Sequence, residues 1–358
     1  MRVLHLFRPT LPSSRAQAVQ VVLTCHALAS RGHEVWLFAN PMGGDTGGAE
    51  AALAGLGLDA LPAFHLELAP TAWNPAASLW FRWRVGRWCD AATRESVVYA
   101  RELRYLGLVG ERPRVVYEAH CHERQRAEED GGEAGVTEAW ERAMLARAGA
   151  LVTNSGGTLA ALQAAYGAAL PTSQQVCHNA TSPDRVVTHA PASRPLLVFA
   201  GSPRAYKGVS VLIEAMAELP GVDLEFVGEA PAGPLPSNVT ATGPLPYAEV
   251  PHRLARAHAL MLPLEDNSFG RQFTSPLKLW DYLATGLPII AADLPTVREI
   301  AGERPFYYLP GDSSALRGAI GHALAAAPRQ PYLRTWADRA EELESVLAGV
   351  IARPRGRS

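Results

Sequence analysis

The sequence predicts an α/β protein of two doubly wound, parallel-sheet domains, and three observations predict it. The chain has 358 residues, too many for one ordinary core and suited to two. Short apolar runs alternate with segments of helical period, the strand–helix–strand rhythm of a parallel sheet. That rhythm dissolves between Asn179 and Pro195 into Thr, Ser, Pro, Asp and His, then restarts, which puts a domain boundary there.

In the first half, residues 2–7 read as a buried strand. A polar loop, 8–17, leads into a helix over about 16–31 that turns Val19, Val22, Leu23, His26 and Ala27 inward, and Gly32 ends it. Strands are expected at 34–39, 63–68, 115–119 and 150–153, and helices at 76–106, 133–148 and 157–166. In the second half, strands are expected at 196–200, 223–227, 259–264, 288–292 and 306–309. Helices are expected at 209–219, 247–257, 277–285, 297–301 and 313–326, and a long one at 332–352. The tail, 353–358, reads as disordered. The divisions are therefore 1–185, 186–331 and a closing helix, 332–352.

Composition excludes several classes. Hydrophobic residues make up 48% and charged ones 19%, as in a globular soluble protein. A net charge of −2 gives no general pull toward nucleic acid. Four scattered cysteines, Cys25, Cys89, Cys121 and Cys177, have no C-x-x-C spacing and fit free thiols in a reducing cytosol. No run approaches the roughly 18 apolar residues that span a bilayer. Residues 1–7 are too short and strand-like for a signal peptide. A cytoplasmic protein is expected, with peripheral attachment to the inner membrane face left open.

Lys207 and Lys278 are the only lysines; every other one of the 33 basic side chains is arginine. Each stands where an ammonium can meet phosphate. Gly201-Ser202-Pro203-Arg204-Ala205-Tyr206-Lys207-Gly208 follows the 196–200 strand, at the carboxyl end where ligands bind parallel sheets. Its glycines let backbone approach a ligand, and Arg204 and Lys207 bring charge. It is neither a Walker loop nor a dinucleotide fingerprint, since Gly-Lys-Ser/Thr and G-x-G-x-x-G are both missing. The other lysine lies in Ser275-Pro276-Leu277-Lys278. Ser275 is read there as an N-cap and Pro276 as the first helical residue, so the helix N-terminus favours an anion. Lys278 and Asp281 are three apart and share a face. Asp281 could take a ribose diol while Lys278 meets the phosphates; the plainer reading is a capped helix with a surface ion pair.

The string from Ser275 to Ala292, with Ala284-Thr285-Gly286-Leu287-Pro288-Ile289-Ile290-Ala291 and then Glu299-Ile300, resembles the signature of family 4 glycosyltransferases of the GT-B fold. The 201–208 loop resembles that family's phosphate loop. Val176-Cys177-His178-Asn179 resembles its interdomain junction, and Tyr332 to Leu347, with Trp336 and Arg339, its closing helix. The resemblance covers residues 150–350 well and the first domain in outline. It implies two Rossmann-like domains facing a central cleft, with the last helix crossing back to the first domain. It implies a retaining transfer of a hexose-type sugar from a UDP- or GDP-sugar, without an essential metal or other cofactor. The diphosphate is then held by Gly201, Ser202, Arg204, Lys207, Ser275, Pro276, Leu277 and Lys278. Asp281 takes the ribose, and Gly243, Pro244 and Leu245 meet the base.

Two positions depart from the family pattern. Ser202 stands where arginine usually follows the loop's glycine, with Arg204 nearby. Phe273 stands eight residues before Asp281, where an acid is usual, and Asp281 is itself the shorter acid. This resembles a subgroup with Ser-Pro-x-Lys in place of the motif's first half; Glu265 or Asp266 could serve the sugar instead.

In the first domain the resemblance points to His120, just after the 115–119 strand, as a catalytic contact to the transferred sugar, alongside Lys207 and Asp281. Packing of His120 against a loop is the even alternative, and Glu118 is a second acid/base candidate. Ser13, Ser14 and Arg15, and Asn154 with Ser155, would line the acceptor or sugar side. His120-Cys121-His122-Glu123 alternates faces along an extended chain and makes no closed metal site.

Residues 73–88 carry Trp73, Trp80, Trp83 and Trp88 among Arg82, Arg84 and Arg87. Three readings stand open: packing of a helix onto the first domain, contact with an anionic membrane surface or lipid-linked acceptor, and stacking on a sugar acceptor. The expected partners are a nucleotide-sugar donor and an unnamed acceptor, a lipid-linked or membrane-proximal one included; no nucleic acid is expected, and oligomeric state is left open. The competing functions are a GT-B epimerase or phosphorylase and a non-catalytic sugar-nucleotide-binding subunit. A phosphorylase needs a pyridoxal lysine, and both lysines lie in diphosphate-type loops.

Overall fold

The computed structural model describes residues 1–43, 48–111, 114–129 and 137–353. These form two compact units, one of Met1–His178 with the chain from Trp336 onward, the other of Asn179–Thr335.

The first unit is built on strands β1 (Arg2–Leu6), β2 (Thr10–Leu11), β3 (Glu34–Pro41), β4 (Phe64–Leu68), β5 (Ser96–Ala100), β6 (Arg114–Ala119), β7 (Ala150–Thr153) and β8 (Gln174–Val176). The order across the sheet is β3-β1-β5-β6-β7-β8, with β4 and the short β2 on the far side of β3, and every pairing is parallel. Helices cover a parallel sheet on both faces, so its inner strands are unbroken apolar runs: Val3, Leu4, Val97, Val98 and Tyr99 are all fully buried.

The single helix expected over 76–106 is corrected. The helix is Pro75–Asp90, capped by Asn74, whose Oδ1 accepts from Ala77 N at 2.8 Å. The chain then breaks at Thr93, whose N–H donates to Ser96 Oγ at 2.8 Å, and enters the sheet as β5 before a 3₁₀ turn, Leu103–Leu108. Val97-Val98-Tyr99-Ala100 is a short apolar run that period alone assigns to helix or strand equally well. The helix expected over 133–148 is observed as Glu138–Leu145. Residues 133–136 lie outside the described residues, as do 354–358 of the tail.

The second unit carries β9 (Leu196–Ala200), β10 (Asp223–Val227), β11 (Val239–Ala241), β12 (Ala259–Leu262), β13 (Ile289–Ala292) and β14 (Phe306–Tyr308). They are all parallel in the order β11-β10-β9-β12-β13-β14. The central β9 is buried along its whole length. The expected helix at 247–257 is a 3₁₀ turn, Tyr247–Glu249, running into Val250–Leu254. The closing helix starts at Trp336 rather than 332. Thr335 bridges Thr181 in parallel and Arg334 O accepts from Thr181 N at 2.9 Å, so 332–335 belong to the second unit.

Candidate active site

The loop after β9 is shaped around a lysine. Gly201 turns the chain at φ 113, and Lys207 folds back on the turn, Nζ donating to Ser202 O at 2.8 Å and Ser202 Oγ at 3.0 Å. Ser202 therefore anchors the ammonium. Gly208 follows at φ 62, and a Cβ there would lie 3.2 Å from the Pro263 carbonyl carbon; glycine is what lets the loop pack on the backbone after β12. Arg204 is exposed on the same loop. Burial, then the charge of Arg204, lowers Lys207 to about 8.

That shift has a measurable sign. A lysine whose folded value is lowered binds fewer protons folded than unfolded. Between about 8 and the ordinary lysine value of 10.5, stability therefore rises with pH. Lys207→Met lacks that gain, so its thermal midpoint relative to wild type falls steadily across the window. Parallel curves would contradict the burial of this ammonium.

The helix Leu277–Thr285 brings the second lysine. Pro276 is its N-cap, in extended conformation at ψ 119, and no side chain caps the first turn. The capping expected of Ser275 is corrected: its Oγ and O accept from Asn179 Nδ2 at 3.2 and 3.0 Å. The N–H groups of Leu277 and Lys278 are thus left without partners inside the helix. Tyr282, one turn after Lys278 on the same face, ties the helix to the sheet. Its hydroxyl accepts from Ala200 N at 2.9 Å and donates to Met261 O at 3.4 Å. Lys278 is thereby pressed on β9, with Nζ 3.6 Å from the centre of the Phe199 ring. That ammonium is buried and has no hydrogen-bond partner among the described residues. Burial, then repulsion by Lys207, holds it well below the ordinary lysine range. The two lysines are close enough to feel one another, and both are short of negative charge.

Asp281 has other partners. Arg185 Nε and Nη2 grip its two oxygens, both at 2.9 Å, and Thr181 Oγ1 donates to Oδ1. The Arg185 guanidinium lies 3.7 Å from the centre of the Tyr247 ring. The surface ion pair between Lys278 and Asp281 is therefore not formed. Of the roughly four acceptor positions of a carboxylate, three are taken, which leaves one for a ribose hydroxyl rather than a diol. Phe273, where an acid is usual, is 3% exposed in the π-helical turn Phe269–Phe273, so that position faces the core. Asp266 is held by Arg271. At the other edge, Thr242 Oγ1 donates to Gly243 O at 2.7 Å and accepts from Gly228 N at 3.3 Å, joining the ends of β10 and β11 just before Pro244 and Leu245.

The first unit holds a buried polar cluster near the end of β6. Glu118 accepts from Gln20 Nε2 at 3.1 Å, Tyr99 Oη at 2.5 Å and Arg339 Nη2 at 2.6 Å. Burial works to raise its pKa, but the charge of Arg339 and its neighbours holds it well below the usual carboxylate range. A carboxylate that is 0% exposed and fully engaged does not trade protons with a substrate, so its acid/base candidacy is corrected to that of an anchor. His120 is 18% exposed, its Nε2 lying 2.6 Å from Arg101 Nη1 and 2.9 Å from Glu118 Oε1. Burial, then Arg101, lowers it to about 4, so the ring is neutral at pH 7. Nε2 thus lies between a guanidinium, which only donates, and a carboxylate, which only accepts, and the neutral ring closes one side of the polar cluster. Ser13 Oγ accepts from Arg15 N at 3.1 Å, and Ser14 and Arg15 are exposed. Asn154 is buried, its Oδ1 accepting from Thr158 Oγ1 at 3.3 Å.

Gly201, Ser202, Arg204, Lys207 and the 275–278 turn thus share one unit, with Asp281 and the 243–245 turn; His120, Glu118, Ser13, Ser14, Arg15 and Asn154 belong to the other. Sequence reasoning missed Tyr282, Arg185, Thr181, Arg101, Gln20 and Tyr99. Tyr282 alone had a local signal, its spacing of four from Lys278.

Residues 17–185 match the model of Glycosyltransferase Family 4, and residues 194–326 that of Glycosyl transferases group 1. Over 75 residues the chain is 32% identical to TuaH of Bacillus subtilis (strain 168), by its name a teichuronic acid biosynthesis glycosyltransferase. That match takes up 21% of this chain and 19% of TuaH, so it spans about a fifth of the relative's length. Sucrose-phosphate synthase from Thermosynechococcus elongatus superposes with a TM-score of 0.65 at 17% identity, over 98% of this chain and 96% of that one. Anabaena HepE, in complex with UDP and glucose, superposes with a TM-score of 0.64 at 16% identity, over 98% and 97%. At these identities the likeness to solved structures is one of fold. With its two halves matched in order to these two models, the chain belongs to the glycosyltransferases of the GT-B fold.

Proposed function

We propose that the protein moves a hexose-type sugar from a UDP- or GDP-sugar to an acceptor, with retention at the anomeric carbon. The observation that carries this reading is Lys278, a buried ammonium without a hydrogen-bond partner among the described residues, beside a second depressed lysine and an uncapped helix N-terminus. Such an arrangement is costly unless a ligand supplies the anion. A diphosphate fits both lysines and the free N–H groups.

As the bond from the anomeric carbon to the diphosphate breaks, negative charge gathers on the leaving group. Cations already in place there lower the barrier by roughly 3–4 kcal/mol per good donor. No metal is required in this reading. His120 is assigned to the transferred sugar, Asp281 to one ribose hydroxyl, and Gly243, Pro244 and Leu245 to the base. Ser13, Ser14 and Arg15 are assigned to the acceptor side. Retention rests on the resemblance to family 4, and the UDP carried by HepE favours uridine.

A thermal-shift panel of UDP, GDP, ADP and TDP tests it. At about 100 times its Kd, the true nucleotide adds about 2.7 kcal/mol of stability, and the matching sugar nucleotide releases nucleoside diphosphate. No shift with any of the four would contradict the reading. Binding without release from any sugar nucleotide would favour a non-catalytic subunit, the second reading that Ser202 and Phe273 keep open.

A further inference from the structure

The four tryptophans of residues 73–88 divide by environment. Trp88 is buried and Trp80 half-buried, stacking edge-on against Trp36 and Phe38. Trp73 and Trp83 are 58% and 57% exposed, and Leu79 is 68% exposed. On the Pro75–Asp90 helix, Ala77, Phe81, Val85, Trp88 and Cys89 face the core. Leu79 and Trp83, four apart, form an outward ridge on the opposite side. Arg82 and Arg87 flank that ridge, one on each side, both exposed and with no acidic partner among the described residues. Arg84, by contrast, is spent on Glu67. Asp90, at the far end of the helix, is the one acid on this face. Trp73 is fixed by stacking 4.1 Å from the Arg8 guanidinium, which bonds Asn40 and Ser78.

We propose that this face of the Pro75–Asp90 helix is an interfacial contact for an anionic bilayer surface. Apolar and aromatic side chains along a ridge, with arginines on both flanks, match a layer whose headgroups are negative and whose interior is hydrocarbon. Tryptophan rings settle at that boundary, and arginine keeps its guanidinium among the phosphates while its stem lies on the acyl region. A helix of 16 residues lies along such a surface, and no helix among the described residues is long and apolar enough to cross a membrane. The charge of the flanks selects a lipid surface over a neutral sugar. The inference stands apart from the assignment of the diphosphate site.

Flotation of the full chain with vesicles tests it, phosphatidylcholine alone against phosphatidylcholine mixed with phosphatidylglycerol. The chain should float with the anionic vesicles, release as salt is raised, and stay behind with phosphatidylcholine alone. Arg82→Gln with Arg87→Gln should lower the bound fraction about tenfold or more, and Leu79→Gln with Trp83→Gln should do the same. Both pairs should keep the wild-type thermal midpoint and nucleoside diphosphate affinity, because these side chains are exposed on the outer face of the helix. Failure of the wild type to float with anionic vesicles, equal flotation with both kinds, or flotation retained by both variants would overturn the proposal.

Discussion

Lys278→Met will weaken nucleoside diphosphate binding about a hundredfold while making the unliganded protein more stable. The loss follows because truncating one partner of a buried charge pair costs about 2–5 kcal/mol, and among the described residues this ammonium has no hydrogen-bond partner of its own. The gain has the opposite origin. In the unliganded protein Nζ is buried against the Phe199 ring with no hydrogen bond among the described residues. Methionine fills similar volume and removes an unsatisfied polar group whose burial costs about 1–3 kcal/mol. A side chain kept only for structure would lower stability when truncated. Titration calorimetry and a thermal scan read the two effects separately. Unchanged affinity would remove Lys278 from the site, and a lowered midpoint would mean the ammonium has a stabilising partner.

Arg339→Met will cost the first unit about 3–5 kcal/mol, which lowers its thermal midpoint by roughly 10 °C. Arg339 is fully buried on the closing helix and reaches three segments. Nη2 bonds Glu118 on β6 at 2.6 Å, Nη1 bonds the carbonyls of Cys177 and His178 after β8, and Nε approaches Thr24 on the Ala16–Ser30 helix at 3.4 Å. Methionine leaves Glu118 charged and buried with two neutral donors, and two carbonyls unsatisfied. The half-exposed pair of Arg31 with Glu344, at 2.6 Å, supplies the contrast. Breaking it with Arg31→Met should cost no more than about 1 kcal/mol. Equal effects from the two variants would show that the cluster around Glu118 is no anchor.

The second unit was the more legible half. Leu196 to Ala200 is apolar without interruption because it is buried on both faces, and the 277–285 helix is closed by Gly286 at φ 71, the conformation its position requires. The rarity of lysine pointed to the two residues that the structure leaves short of an anion. What stayed hidden was hidden for physical reasons. β5 is too short for periodicity to separate from helix, and β8 and β11 are three-residue edge strands with polar positions. Ser275 looked like a cap because local sequence cannot show that Asn179, 96 positions away, takes its hydroxyl. Asp281 looked free for a diol because Arg185 is equally remote. Glu118 looked reactive because its neutralising arginine is 221 positions away. Local preference reads elements and caps; the occupancy of a buried polar side chain is set by tertiary contacts.

The central claim is that two depressed lysines in one unit await one diphosphate. A bound diphosphate raises both back toward the ordinary lysine value, so at pH 8 the complex takes up protons from solution. Calorimetric titration at pH 8 with the sugar nucleotide identified by the panel, in two buffers of unlike ionisation enthalpy, measures this directly, because a diphosphate diester has no proton of its own to exchange there. The account predicts net proton uptake by the wild type and a smaller uptake by Lys278→Met. Binding heats independent of the buffer would contradict it.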